Sequence, residues 1–319
     1  MAFRYINPGY GILTGDSSVN TFNNSTFNPA NGVAFQKYDS SNYVNAVKIA
    51  IPQAFSSDIY GKFNLYYDAS DSYLNYFFIG ATSSNDSSLF NTAIGITISS
   101  SKVYLRDVGT SRGTGIALQN NSLNSIWFHW NKDATNSNAS SGELIVNGTS
   151  YSFQDTNSTY GFSNEKFFFI NFPSKNYNGD KIYVSELIIS DEYISPHEKI
   201  VALPIDATET TMTAGANEIY IADAVNQTLL QMPDVDALLT EYGATSQVTG
   251  IALVGNPAYR TGEEIRSLIG LSKANGTITE HDSCALDTSS SAVVMDGWNL
   301  NNVMISDLQN MQFGWKVGT

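Results

Sequence analysis

The chain holds a single cysteine, Cys284, so no disulfide can close within it. A lone thiol reads as a small buried hydrophobe. The fold is not expected to depend on an oxidising compartment. Charge is scarce as well: Asp, Glu, Lys and Arg make up 14% of the residues, where about a quarter is usual. Cations are scarcest, with 16 Lys and Arg against 30 Asp and Glu, for a net charge of −14. That balance lacks the basic footprint phosphates demand, which argues against nucleic acid and against anionic membrane surfaces. No run approaches the roughly 18 apolar residues of a membrane span, so membrane insertion is not expected. The opening, Met1–Gly15, has no apolar signal core, which predicts synthesis in the cytosol without a signal peptide. The three histidines, His129, His197 and His281, lie far apart, and none sits at metal-ligand spacing. No glycine-rich phosphate loop and no nucleophile elbow occurs.

What the chain has in quantity is aromatic and uncharged polar residues. There are 18 Tyr and 17 Phe, and hydrophobic residues reach 42%. With little charge, the polar surface must be Ser, Thr, Asn and Gln, a texture that suits extracellular β-proteins and virion proteins. Joined to the missing signal peptide, it predicts a virion component that becomes extracellular on release. The length of 319 residues allows one large or two ordinary domains.

Ser125–Gly148 organises the rest. Ile126, Phe128 and Trp130 share one face of a strand, Trp127 and His129 the other. A polar loop, Asn131–Gly142, leads to a second strand, Glu143–Val146. Asn147-Gly148 then closes a hairpin, since both residues tolerate positive φ. Further strands are predicted over Val44–Ile51 (ended by Pro52), Tyr60–Tyr67, Tyr73–Ile79, Thr92–Ser99, Lys102–Arg106, Glu165–Phe172 and Lys181–Ser190. Glu165–Phe172 is so continuously aromatic that it belongs in a sheet centre. Roughly ten short strands with turn signals between them predict a sandwich.

The aromatic "WFHW" strand, the "GELIVNG" strand and the later "KIYVSELIISDEYISPHE" resemble the laminin G-like, concanavalin A-type jelly roll. The resemblance covers roughly the first two-thirds of the chain. "RYINPGY", "FNPANGVAF" and the ending "LQNMQFGWKVGT" resemble segments of bacteriophage or prophage tail-associated proteins. The expected organisation is a loop-rich lead-in over 1–42, a β-sandwich over 43–203 and a smaller β-rich (α+β) domain over 204–319. In the last, helices are predicted over Pro233–Tyr242 and Gly262–Leu268. Strands are predicted over Asn217–Ala222, Gln247–Val254, Ala292–Val294, Val303–Leu308 and Phe313–Val317.

Three readings of function follow. The first is a non-enzymatic virion structural protein that acts as an adhesin or receptor-binding module for host-surface polysaccharide. It would form a homo-oligomer and contact other virion proteins. Aromatic area with adaptable hydrogen bonds points to Tyr66, Tyr67, Tyr73 and Tyr76 as a patch; Trp127 and His129, in the aromatic strand, are separate candidates for stacking on a sugar. No cofactor is expected, although Asp68 and Asp71 could hold calcium through oxygen ligands. The second reading is a purely structural subunit of an assembly that binds no sugar. The third is a polysaccharide-degrading enzyme, which needs paired carboxylates. Glu186, Asp191 and Glu192 are the nearest set, but their spacing does not alternate, so they cannot share one strand face.

Overall fold

The computed structural model describes residues 4–7, 19–23, 33–37, 45–55, 58–68, 77–82, 94–107, 110–132, 140–155, 165–172, 181–216, 219–255, 258–288 and 294–319. It divides into two compact units, Met1–Ile200 and Val201–Thr319.

The first unit contains β1 (Arg4–Asn7), β2 (Val19–Asn23), β3 (Val33–Lys37), β4 (Asn45–Phe55), β5 (Asp58–Asp68), β6 (Phe78–Thr82) and β7 (Ile94–Ser99). It continues with β8 (Lys102–Asp107), β9 (Thr110–Ala117), β10 (Ser122–Lys132), β11 (Ser140–Val146), β12 (Thr149–Asp155), β13 (Glu165–Phe172) and β14 (Lys181–Ser190). One antiparallel sheet runs β12-β11-β10-β5-β14-β3-β2, with β1 also on β14. The other runs β4-β13-β6-β7-β8-β9. The chain passes back and forth between two facing sheets, the jelly-roll arrangement that the strand texture implied.

The sheets meet through alternation. Ile126, Phe128 and Trp130 of β10 are fully buried, as are Ile59, Phe63 and Leu65 of β5. Opposite them lie Ile79, Ile96, Ile98 and Leu105. The indole N–H of Trp130 donates to the Gly95 carbonyl at 2.8 Å and so ties the two sheets together through the core. The β11–β12 turn is formed by Asn147 (φ 51°) and Gly148 (φ 80°) as predicted, and Ser100 and Ser101 close β7–β8 likewise. β13 lies inside its sheet, between β4 and β6.

Two expectations change here. Residues expected to form only a loop-rich lead-in supply β1, β2 and β3. The strand expected to stop at Pro52 runs on to Phe55. β4 is an edge strand, and its register with β13 jumps between Phe55 and Ala50. An edge with a bulge tolerates the missing proline N–H.

The second unit contains β15 (Ile205–Thr210), β16 (Thr213–Ala214), β17 (Tyr220–Ile221), β18 (Thr228–Pro233), α1 (Asp236–Tyr242), β19 (Gln247–Gly255), β20 (Ser267–Ala274), β21 (Thr277–Ala285), β22 (Val294–Met304), α2 (Ile305–Leu308) and β23 (Met311–Gly318). Its main sheet runs β15-β18-β23-β20-β21, with β16-β17 and β19-β22 as separate pairs. Val235, Trp298, Ile305, Leu308 and Phe313 form its core. The helix predicted over Gly262–Leu268 is absent: that stretch is irregular and then enters β20. Ile265 is 75% exposed, so no apolar face is there to hold a helix. Val303–Leu308, predicted as strand, is instead the end of β22 followed by α2. The Asp307 carboxylate accepts from the Met304 N–H at 2.8 Å and starts that helix.

Candidate functional site

On the face of β10 turned away from the core lie Trp127, His129 and Asn131; on β5, Tyr60, Lys62, Asn64 and Tyr66. Register sets the neighbours. Tyr60, His129, Glu143 and Ser152 lie directly opposite one another across β5, β10, β11 and β12. Asp58, Asn131, Ser141 and Gln154 form the adjacent row.

Part of this face is closed by the segment Asp191–Ile200. Ile194 is fully buried, and its carbonyl accepts from the Trp127 indole N–H at 2.8 Å. The Lys62 ammonium donates to the Glu198 carbonyl. Burial there lowers the Lys62 pKa, against the opposing pull of Glu186 and Glu198.

Beyond that strap the described residues leave the face open. The His129 ring lies flat on Tyr60, with centroids 4.1 Å apart and planes 2° apart. Tyr193, 66% exposed, meets Tyr60 edge-on at 5.9 Å. One oxygen of Asp58 takes the His129 Nε2 at 2.7 Å and the Asn131 amide N–H at 2.7 Å. The Tyr60 phenol pKa is raised, first by burial, then by the charges of Asp58 and Glu143 and by Tyr193. Beside His129 runs an open groove of about 340 Å³, lined by Ser141, Glu143, Ser152 and Gln154 and, between them along β11 and β12, by Gly142 and Phe153 of the core-facing row. A sugar face could lie on such rings while hydroxyls meet the serines, the amide and the carboxylate.

Of the residues proposed from sequence whose side chains are described, only His129 lies in this groove. Trp127 is 4% exposed and committed to the strap, so it supports the face without being open to a ligand. Tyr66 is half-buried against Tyr183, centroids 6.1 Å apart, and six residues along β5 from Tyr60, roughly 20 Å at strand rise. Tyr67 and Asp68 are placed by backbone in β5, opposite Ile182 and Lys181. Tyr73, Tyr76 and Asp71 lie outside the described residues.

Glu186 is 6% exposed, at a bulge in β14 with φ 52°, and accepts from the Asn64 amide. It does not line the groove, and neither does Asp191. Among the described residues no three His, Cys, Asp or Glu side chains could hold a metal, and no helix is long and apolar enough to cross a membrane.

Sequence reasoning missed Tyr60, Asp58, Asn131, Glu143 and Tyr193. The available signal was alternation: any polar residue on the His129 face of a strand paired with β10 was a candidate.

The second unit holds a separate buried polar cluster. His281 stacks on Trp298 at 3.7 Å, and its Nε2 lies 2.8 Å from the Ser272 hydroxyl. Burial lowers the His281 pKa. Asp296, 8% exposed, has one carboxylate oxygen with no hydrogen bond. Its pKa is pushed up to about 7, chiefly by burial and then by Asp282. A Cβ on Gly270 would fall 2.0 Å from that oxygen, so glycine alone admits the carboxylate there. Burial, with Asp296 and Asp282, pushes the Cys284 thiol up to about 12.

No family model matches the chain, and no curated protein matches its sequence. Solved structures similar to it include a peanut lectin with a bound nonapeptide, 9% identical, covering 60% of this chain and 97% of the lectin at a TM-score of 0.38. An endo-β-1,4-glucuronan lyase from Trichoderma reesei is 10% identical, covering 58% and 94% at 0.40. The catalytic domain of a glycoside hydrolase family 131 protein from Coprinopsis cinerea is 14% identical, covering 61% and 85% at 0.39.

Proposed function

We propose that the first unit is a non-enzymatic glycan-binding module. The observation that carries this is the His129–Tyr60 platform, held by Asp58 and opening onto a groove walled by serines, an amide and a carboxylate. Rings of this kind supply apolar area at low conformational cost, and short polar side chains supply adaptable hydrogen bonds. The low charge and the Asn, Ser and Thr texture support a place on a virion, as an adhesin or receptor-binding component that assembles with its own copies.

The test is equilibrium binding of the full chain to a panel of bacterial envelope polysaccharides, with recovery of the polymer afterwards. Saturable binding with intact polymer, reduced at least about tenfold in His129→Ala, is expected. Shortened polymer would replace this reading with an enzymatic one based on Glu143 and Asp58. No binding by any polymer would leave a structural subunit.

A further inference from the structure

We infer that the groove between His129 and Glu143 selects a sugar bearing a free amino group; this rests on the glycan reading of the same groove. Glu143 stands directly opposite His129 on one side and Ser152 on the other. It lines the groove, is half-buried, and makes no side-chain hydrogen bond among the described residues. With Tyr60 covering one face of the imidazole, the other face turns toward β11 and therefore toward Glu143. A sugar ring resting on that face would bring a substituent to the carboxylate.

Among the described residues, no lysine or arginine lines the groove. Lys62, on the same sheet face, is buried and bound to the Glu198 carbonyl. Arg112 lies over the Phe153 ring, 5.4 Å from its centroid. Phe153 shares its register row with Gly142 and Trp130, on the core side of the sheet.

An ammonium would therefore meet Glu143 with no competing cation among the described residues and make a charge-assisted hydrogen bond. Asp58, behind the imidazole, adds negative potential, and the net charge of −14 acts in the same sense. A uronate would set its carboxylate against Glu143. The ligand class is thus an amino glycan with unacetylated nitrogen, its remaining hydroxyls meeting Ser141, Ser152 and Gln154.

The experiment titrates the full chain with glucosamine oligomers, their N-acetylated counterparts and oligouronates of equal length. The variants are Glu143→Gln, Glu143→Lys and His129→Ala, each checked for native circular dichroism. The amino oligomer should bind about tenfold or more tightly than the acetylated one. That preference should vanish in Glu143→Gln and reverse toward uronates in Glu143→Lys. Equal binding of amino and acetylated oligomers, both lost in His129→Ala, would overturn the amino selectivity and keep the glycan reading. Binding of no oligomer while an envelope polysaccharide still binds would overturn the amino selectivity alone; binding of neither would overturn both. An amino preference that survives Glu143→Gln would refute the assignment to Glu143 and trace the effect to overall charge.

Discussion

Asp296 should make the second unit lose stability as pH rises toward neutrality. Its folded pKa of about 7 lies above the ordinary 3.8. Below about pH 4 the group is neutral in both states and costs nothing. Between about 4 and about 7 the unfolded chain ionises while the folded chain does not, so each pH unit removes about 1.4 kcal/mol. Above about 7 both states are charged, and the full cost of burying that charge stands at about 4 kcal/mol. Asp296→Asn removes this dependence.

The assay is urea unfolding followed by tryptophan fluorescence. Trp298 and Trp315 report the second unit, and Trp127 and Trp130 the first. Comparing variant with wild type cancels the titration of other carboxylates. The variant should gain about 2–3 kcal/mol on wild type between pH 5 and pH 8, most of it below pH 7. Parallel stability curves for the two proteins would refute the burial argument.

Other outcomes follow from packing and backbone. Trp130→Phe empties part of the core and removes the donor to the Gly95 carbonyl. The first unit should lose about 2–4 kcal/mol in denaturant melts, while the second-unit transition stays in place. Gly148→Ala meets no atom within 4 Å and strains only its positive φ, at a cost of about 1 kcal/mol. Gly95→Ala would put a Cβ 2.0 Å from the Ile79 carbonyl oxygen. Its backbone must shift, so its melting temperature should fall well below that of Gly148→Ala.

Strand texture carried much of the fold. The alternation at Ile126–Trp130 assigned the buried face of β10, and the Asn147-Gly148 turn the pairing of β11 with β12, because both signals are local. α1 was legible from the Pro233 and Gly243 that bracket it, although Pro233 closes β18 and the helix begins only at Asp236. Val303–Leu308 was not legible: its apolar residues suit a strand as well as a helix, and one cap from Asp307 decides.

The candidate site was legible only at His129. Its partners come from residues 58–60 and 143, joined by pairings across β5, β10 and β11. The sequence shows no spacing between those stretches. Trp127 misled because a strap some 67 residues away covers it, a long-range fact that alternation cannot carry.

In the glycan-binding reading proposed above, ligand lies on the His129 ring. The chain has three histidines, one in the groove, one exposed on the strap and one in the second unit. Their imidazole resonances therefore form a three-point map. Titration with a binding glycan should shift the His129 signals and leave His197 and His281 in place. Saturation of binding with His129 unmoved would place the ligand elsewhere and rule out the His129 platform.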